Sequence, residues 1–322
     1  MRTESCVGID VGKSWLDVVQ LPGREHRRLA NGEEGWAELV AWLPPEPVVV
    51  LEATGGYEQG VVRALASAGV AVTVGNPLQL RRYAQSRGQR AKTDRVDAVM
   101  LAQYAEQMQP QPSALPDETA RTVAAFVTRR RQLSQMRAEE KTRQKQPGLL
   151  AIVQQQLAEH ITELSAQISA VDCLMAETVA ADPHWQQRVN QLVTVPGIAQ
   201  LTAVRLLVGL PELGQCSAKT IAGLVGVAPY PQESGQYRGR RVIAGGRRWV
   251  RHALFEAVMS TKRCDPTMRA HYAQLRARGK PHKVAMVACM RRLLGILTAM
   301  VRHALTWQQT KVGQGHFLLA TA

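Results

Sequence analysis

The sequence of 322 residues predicts an α/β N-terminal domain, then a long helical segment, then a mainly α-helical, basic C-terminal domain. Three observations predict this order. Short apolar runs alternate with helical patterns over residues 1–110, an apolar heptad pattern lies within residues 117–183, and the excess positive charge is confined to residues 184–322. This length is sufficient for two domains of ordinary size, each with its own core.

The first segment has the composition of a mixed sheet with helices packed on it. A tight Gly-Lys-Ser turn joins the first two apolar runs and predicts a hairpin, whereas the later strand–helix–strand units predict parallel pairing. The predicted strands cover residues 5–12, 15–21, 47–51 and 70–74, and the predicted helices cover residues 33–43, 57–68 and 93–108. Prolines at 110, 112 and 116 then indicate a linker.

The second segment is predicted to be a helical hairpin or coiled coil. Pro147-Gly148 interrupts a nearly continuous helical pattern, which favours two antiparallel helices. A heptad seam follows, formed by Leu157, Ile161, Leu164, Ile168, Val171 and Met175. A seam of this kind closes either on its own chain or on a second subunit. Both alternatives stay open, and we favour a homo-oligomer, either a dimer or a tetramer.

The third segment carries the charge of a nucleic-acid-binding domain. Residues 184–322 contain 20 Lys and Arg against 4 Asp and Glu, a net charge of +16, whereas the whole chain carries +14 with a pI near 10.1. An excess confined to one segment points to a polyanionic partner, and we expect double-stranded DNA. The stretch 193–207 has the form helix, Pro-Gly turn, helix, in which Gly197 would let backbone N–H groups approach a phosphate. The alternative is an ordinary helix–helix turn with Gly197 ending the first helix.

Four carboxylates in the first segment call for a common explanation. Asp10 lies inside the first apolar strand, where an unpaired charge costs several kcal/mol. Glu52 ends the PVVVL strand, and Asp94 and Asp97 lie one turn apart at a helix start that Thr93 can cap. Each has an ordinary alternative on its own, such as a dipole contact, an ion pair or a turn cap. Together they predict a site for two divalent ions, Mg²⁺ or Mn²⁺, that would assist phosphoryl transfer.

The third segment offers a serine in a loop followed by arginines. Ser234 lies between prolines and glycines, so we expect it to be exposed on a flexible backbone. A serine hydroxyl is a weak nucleophile that needs a base or a metal, and no histidine lies in this loop. The predicted phosphate contacts are Arg238, Arg240, Arg241, Arg247, Arg248 and Arg251.

Several motifs together resemble a known family. GIDVGKSWLDV, LEATGGYE and KTDRVDA, with residues 224–254, are similar to the DEDD-type insertion-sequence transposases of the IS-one-ten family and to the related Piv/MooV DNA invertases. The resemblance implies a ribonuclease-H-like (RuvC-like) N-terminal domain, with the DEDD set on Asp10, Glu52, Asp94 and Asp97. It also places the family's serine nucleophile at Ser234. Lys92, which begins KTDRVDA, is a further predicted nucleic-acid contact.

The function implied by the resemblance is a transposase or site-specific recombinase. Ser234 would attack a DNA phosphodiester to form a phosphoserine intermediate, with metal held on the four carboxylates. A non-coding bridge RNA would pair with the element ends and with the target DNA. Two alternatives remain open: a metal-dependent junction nuclease that uses water, and a non-catalytic nucleic-acid-binding scaffold.

The remaining features favour a bacterial cytoplasmic protein associated with the nucleoid. The start of the chain has no apolar run after its positive residue, and the best apolar stretch is interrupted by Arg291 and Arg292, so neither a secretory signal nor a membrane span is predicted. The five cysteines form no CxxC pair, which favours free thiols over disulfides or a zinc site.

Overall fold

The computed structural model describes residues 5–88, 93–113, 116–235 and 237–312. The chain divides into two compact units, with the boundary between Leu115 and Pro116. This boundary lies at the end of the predicted proline-rich linker. The helical hairpin, which the sequence separates from the C-terminal domain, belongs to the second unit. Two units therefore replace the three predicted segments.

A five-stranded mixed sheet forms the centre of the first unit, with strand order β3-β2-β1-β4-β5. Its strands are β1 (Cys6–Val11), β2 (Trp15–Leu21), β3 (Glu25–Ala30), β4 (Val48–Glu52) and β5 (Val72–Gly75). β1, β2 and β3 pair antiparallel, whereas β4 lies parallel to both β1 and β5. The predicted hairpin and the predicted parallel pairing are both present. The sequence missed β3, since its residues EHRRLA are largely polar.

Helices cover both faces of this sheet. They are α1 (Glu33–Trp42), α2 (Glu58–Ser67), α3 (Pro77–Ser86) and α4 (Asp94–Met108). One face packs Ile9, Val49 and Leu51 into a core with residues of α1 and α2. The opposite face packs Val19 and Val50 against α4 and α3. Because side chains alternate along each strand, successive apolar residues of one strand join the cores on opposite faces of the sheet.

The second unit is mainly helical. Its helices are α5 (Glu118–Arg143), α6 (Ala151–Ala181), α7 (Pro183–Val193), α8 (Gln200–Gly209), α9 (Ala218–Val225), α10 (Arg248–Cys264), α11 (Pro266–Ala277), α12 (His282–His303) and α13 (Trp307–Val312). Aspartates cap three of them, since Asp117, Asp182 and Asp265 accept hydrogen bonds from the first-turn amides of α5, α7 and α11. Residues of α5 to α13 share one core.

The predicted heptad seam closes within its own chain. α5 and α6 form an antiparallel hairpin, in which Leu164 and Ile168 of the seam are buried against Leu133 of α5. Arg130 of α5 also donates a hydrogen bond of 2.6 Å to Asp172 of α6. The intramolecular alternative therefore accounts for the middle of this seam, and the oligomer stays a prediction.

α12 is the central helix of the second unit. Within the part of the chain described, it is the one helix long and apolar enough to cross a membrane. It packs against α7, α9, α10 and α11, and Cys289, Leu293 and Leu297 on its buried side belong to the core. Arg291 and Arg292 interrupt its apolar sequence, as noted above. Its apolar composition is thus that of a core helix.

A β-arm of residues 229–243 departs from the predicted helical character of this unit. Its strands are β6 (Pro229–Tyr230), β7 (Glu233–Ser234), β8 (Tyr237–Arg238) and β9 (Val242–Ile243). β6 pairs antiparallel with β9, and β7 pairs antiparallel with β8. The Gly239 amide donates to the Gln232 carbonyl between the two ladders, so the segment is one extended hairpin.

Candidate active site

Two neighbouring parallel strands bring Asp10 and Glu52 to the same end of the sheet. β1 and β4 pair with Ile9 opposite Leu51, and Asp10 and Glu52 are the next residues along each strand. Ile9 and Leu51 lie in the core on the α1 and α2 side. Because side chains alternate between faces, Asp10 and Glu52 lie on the α4 side.

The first turn of α4 supplies the other two carboxylates. The Thr93 hydroxyl accepts a hydrogen bond of 3.3 Å from the Val96 amide and caps the helix, as predicted. Asp94 is the first helical residue, and Asp97 follows one turn later. Negative side chains at a helix N-terminus interact favourably with the helix dipole.

Gly8 allows α4 to lie directly on β1. A Cβ atom at Gly8 would lie 2.2 Å from both the backbone nitrogen of Ala102 and the carbonyl oxygen of Ala98. No other residue type fits this contact. Gly8 and Asp10 share the same face of β1, so the close packing brings the start of α4 toward Asp10.

The carboxylates of this site act on one another. The pKa of Asp10 is raised from 3.8 to about 6. Burial is the largest cause, followed by the negative charges of Asp97, Asp94, Glu52 and Asp17, in that order. The other three residues predicted from the sequence, Glu52, Asp94 and Asp97, therefore lie within electrostatic range of Asp10, and bound cations would relieve this repulsion.

The donor set fits a hard divalent cation. Carboxylate oxygens are the ligands that Mg²⁺ and Mn²⁺ prefer, and Asp10, Glu52, Asp94 and Asp97 offer only such oxygens. Over the described parts of the chain, no three His, Cys, Asp or Glu side chains are close enough together to hold a metal. The four carboxylates are thus near enough to repel, and ligation requires their side chains to draw closer.

A fifth acidic residue, Asp17, lies beside this set and was not predicted from the sequence. Asp17 lies opposite Asp10 in the β1–β2 ladder and is 3% exposed. From β3, Arg28 and His26 both contact its carboxylate, at 2.7 Å and 2.8 Å. Burial alone would raise the pKa of Asp17, but the hydrogen bonds from Arg28 and His26 outweigh burial and lower it. The signal was available, since Asp17 interrupts the apolar strand WLDVVQL as Asp10 interrupts its own strand.

Ser234 lies at the end of the exposed β-arm of the second unit. It is opposite Tyr237 in the β7–β8 ladder, and the next residue, Gly235, has a positive φ of 55°. Both Ser234 and Tyr237 are exposed, as predicted for the serine. Among the described residues, the Ser234 hydroxyl has no hydrogen-bond partner. In this part of the arm, no described side chain is hydrogen-bonded to the serine as a base would be.

The predicted phosphate-binding arginines fall into two groups. Arg238, Arg240, Arg241 and Arg248 are exposed. Arg247 and Arg251 instead bind within the chain. Arg247 forms a two-point ion pair with Glu212 and also donates to the Gly209 carbonyl.

Arg251 donates to the carbonyls of Gly226 and Gly245, next to the arm. The burial of Glu212 would raise the pKa of its carboxyl, but the contact with Arg247 lowers it overall. Arg247 and Arg251 thus have intramolecular partners, and their contact with a phosphate stays a prediction.

Gly197 also has an intramolecular role. The predicted helix–turn–helix is present as α7 and α8, and Gly197 in its turn has a φ of 90°. A Cβ atom there would lie 2.7 Å from the backbone of Ser260 and Thr261 in α10. The glycine is therefore required for close helix packing, which matches the alternative of an ordinary helix–helix turn. The other predicted contact, Lys92, lies outside the described residues.

A groove of about 1530 Å³ also lies within the second unit. Its floor is apolar and includes Met286, Met290 and Trp249, whereas its edge carries Arg131, Arg248 and Lys283 among other cations. The four carboxylates belong to the first unit, so this groove is not their site.

Two sequence models of transposases match the chain in order. A DEDD-type transposase model of IS110 matches residues 7–154. A model described as "Transposase IS116/IS110/IS902 family" matches residues 189–273. The first match includes all four carboxylates, and the second includes the β-arm with Ser234. The chain belongs to the IS110 family of transposases.

Individual relatives agree with this assignment. The chain is 28% identical over 312 residues to the pilin gene-inverting protein of Moraxella bovis, which covers 93% of this chain and 96% of that protein. It is 30% identical over 175 residues to a 43.6 kDa protein of insertion element IS110 from Streptomyces coelicolor, which covers 54% of this chain and 42% of that protein.

Solved structures of RuvC from Thermus thermophilus are also similar to part of the chain. The RuvC in complex with a Holliday junction substrate aligns with a TM-score of 0.27 and 16% identity. That alignment covers 34% of this chain and 99% of the RuvC chain.

Proposed function

We propose that this chain is a metal-dependent DNA transposase or site-specific recombinase. The observation that carries the proposal is the arrangement of four carboxylates: Asp10 and Glu52 lie at the ends of two adjacent strands on the face covered by α4, and Asp94 and Asp97 lie in the first turn of α4. Burial, followed by the negative charges of Asp97, Asp94 and Glu52, raises the pKa of Asp10 at this position. A protein retains such a repulsive arrangement when a cation binds there. Family membership and the +16 charge of residues 184–322 support DNA as the substrate.

Asp10, Glu52, Asp94 and Asp97 would hold one or two Mg²⁺ or Mn²⁺ ions. When bound, such ions stabilise negative charge on the attacking and leaving oxygens of a phosphodiester. The fold contributes by fixing Asp10 and Glu52 on rigid strands and by placing Asp94 and Asp97 at a capped helix start. The Arg28–Asp17–His26 contacts border this site on β3.

Ser234 is the proposed nucleophile. Its oxygen would form a bond to a DNA phosphorus, the bond from that phosphorus to one strand's oxygen would break, and the serine proton would end on the released DNA hydroxyl. The phosphoserine keeps the energy of the broken linkage, so that a new strand end can later displace the serine. The exposed position at the end of the β-arm and the exposed side chains of Arg238 and Arg240 suit contact with a large polyanion.

The first experiment traps the covalent intermediate. Full-length protein is incubated with Mg²⁺ and DNA carrying the element ends, and adducts are separated in denaturing gels. We expect an adduct with the unaltered chain, none with Ser234→Ala, and a normal amount with Ser169→Ala, which removes an exposed serine from α6. An adduct of unchanged yield in Ser234→Ala would overturn the serine mechanism.

A second candidate function is a junction nuclease that uses water. Among the described residues no side chain forms a hydrogen bond with the Ser234 hydroxyl, which favours this candidate, since a hydroxyl without activation attacks slowly. The same Ser234→Ala variant separates the two, because a water-using nuclease would cleave at an unchanged rate. A non-catalytic scaffold would cleave under no metal condition, and the carboxylate set would then have no role.

A guide RNA and an oligomer complete the proposal. We propose that a non-coding bridge RNA from the same element directs the chain to donor and target DNA, and that the active form is a homo-oligomer. The chain expressed with its flanking DNA should copurify with one discrete RNA, whereas expression without the flanks should yield none. A preparation that is active and contains no RNA would contradict the guide.

A further inference from the structure

Arg28 connects a buried carboxylate to one of the proposed metal ligands. It lies on β3 directly opposite Asp17 of β2. Its Nε and Nη2 atoms donate to Asp17 Oδ2 at 3.1 Å and 2.7 Å. Nη2 also donates to Asp94 Oδ2 at 3.0 Å. One guanidinium therefore contacts two acidic residues at the side of the carboxylate site.

Asp17 is the fixed end of this connection. Its side chain is 5% exposed, and His26 supplies another contact of 2.8 Å to Oδ1. Separating a buried carboxylate from its partners strongly destabilises the fold. The contact with Asp17 therefore holds Arg28 in place. Since its oxygens are already occupied by Arg28 and His26, Asp17 is poorly placed to bind a metal.

Asp94 is the solvent-exposed end of this connection. Its side chain is 66% exposed, and that of Arg28 is 51% exposed. Ion pairs at this exposure contribute little to stability, so the contact can be exchanged at low cost. A divalent cation would bind the same carboxylate that Arg28 now contacts.

We propose that Arg28 is a positioning residue that holds Asp94 when no metal is bound and is displaced from Asp94 by the incoming divalent cation. This inference rests on the proposed metal site. Because Asp17 retains the guanidinium after the exchange, Arg28 stays beside the site with one N–H of its Nη2 atom released from Asp94. That N–H suits a phosphate oxygen of bound DNA, a group with which arginine forms charge-assisted hydrogen bonds. Metal binding would thereby prepare a phosphate contact.

Removal of Arg28 should strengthen metal binding and weaken DNA binding. Binding of Mn²⁺ to the full-length chain without DNA is measured by calorimetry. We expect Arg28→Gln to bind Mn²⁺ about three- to tenfold more tightly than the unaltered chain, since the competing cation is gone. In Ca²⁺, used in place of Mg²⁺, the same variant should bind DNA less tightly.

Arg27→Gln is the matched control. It removes the same charge from the next position of β3, where Arg27 pairs with Glu25 and lies over the ring of Trp42. Its Mn²⁺ affinity should equal that of the unaltered chain. If the affinity for Mn²⁺ rose equally in both variants, the effect would come from the change in net charge alone, and the inference would be overturned.

A further pair of variants protects the test against misfolding. Loss of Arg28 leaves Asp17 buried with one partner fewer, so Asp17→Asn/Arg28→Gln is compared with Asp17→Asn alone. The double variant should bind Mn²⁺ more tightly than the single variant, and an unchanged or weaker affinity would contradict the role of Arg28.

Failure of the metal site itself is recognised separately. If the unaltered chain and Asp97→Asn bind Mn²⁺ equally weakly, the proposed function fails. If the unaltered chain binds Mn²⁺, Asp97→Asn does not, and Arg28→Gln is no tighter than the unaltered chain, only the inference about Arg28 fails.

Discussion

The carboxylate site and the β-arm differ in how the fold treats a reactive group. Asp10 and Glu52 lie at the ends of central strands, and Gly8 brings α4 so close that the surrounding backbone has little freedom. Ser234 lies at the exposed end of a two-stranded arm and has no side-chain partner among the described residues. The first site is prepared within the fold. The geometry around Ser234 instead depends on the molecule that binds the arm, so the two regions should respond differently to substitution.

Activity should depend on both regions to a similar extent. Asp97→Asn removes a proposed metal ligand, and Ser234→Ala removes the proposed nucleophile. Each should lower strand exchange by more than about a thousandfold, because groups that act in one chemical step are individually essential. The measurement is recombination of a reporter plasmid that carries both element ends. Near-normal exchange in either variant would remove that region from the mechanism.

The free energy of unfolding should respond to substitutions in the carboxylate site but not to those in the β-arm, even though activity depends on both regions. Gly8→Ala places a methyl group against the backbone of α4 and should lower the free energy of unfolding by about 3 kcal/mol. Gly23→Ala, at a position with no atom within 4 Å of the added methyl group, should change it by less than about 0.5 kcal/mol. Ser234→Ala should also be nearly neutral. The measurement is denaturant unfolding, and a large loss in Ser234→Ala would show that the arm is part of the folded core.

Removal of Asp10 should stabilise the metal-free protein. Its pKa of about 6 in the folded chain exceeds the ordinary value of 3.8, so the folded state binds more protons between these values. Stability therefore falls as pH rises through this window. After allowance for solvent screening, Asp10→Asn should raise the free energy of unfolding by about 1–2 kcal/mol at pH 7.5.

At pH 3, where the carboxyl is protonated in both states, the same variant should have almost no effect. Chemical unfolding of the metal-free protein with chelator at the two pH values tests this. A destabilised Asp10→Asn at neutral pH would show that the carboxylates do not strain the empty site.

The smallest expected effects distinguish the arginines of the second unit. Arg240→Ala removes an exposed cation, which should weaken DNA binding modestly and reduce the slope of log K against log salt by about 0.9. Arg247→Gln breaks the pair with Glu212 and should instead lower the free energy of unfolding by about 1–2 kcal/mol. Fluorescence anisotropy at several salt concentrations measures the slope. An equal change in slope for both variants would place Arg247 at the DNA as well.

The sequence predicted those features that short-range patterns determine. Alternation and apolar runs located β1, β2, β4 and β5, and Thr93 at the start of α4 was recognised as a cap. The four carboxylates were singled out because a charge within an apolar strand, or two acids on one helix turn, is unfavourable in any fold unless a partner or a cation compensates it. The resemblance to transposases, which the family assignment confirms, supplied the connection to Ser234.

Features that depend on distant contacts could not be predicted. β3 is polar because Arg28 and His26 serve Asp17, which only the strand register reveals. The heptad seam fits a partner helix from either source, and only packing shows that Leu164 and Ile168 meet α5 of the same chain. The intramolecular contacts of Arg247 and Arg251 could not be predicted, because Glu212 is distant in sequence and the two glycine carbonyls that accept from Arg251 carry no sequence signal.

Anomalous diffraction from crystals of the full-length chain soaked in Mn²⁺ tests the central claim most directly. The account predicts one or two strong peaks among the carboxylates of Asp10, Glu52, Asp94 and Asp97, with oxygen ligands at about 2.2 Å, and no such peak in crystals of Asp97→Asn. Ordered, Mn²⁺-soaked crystals of the unaltered chain with no peak at these residues would contradict it.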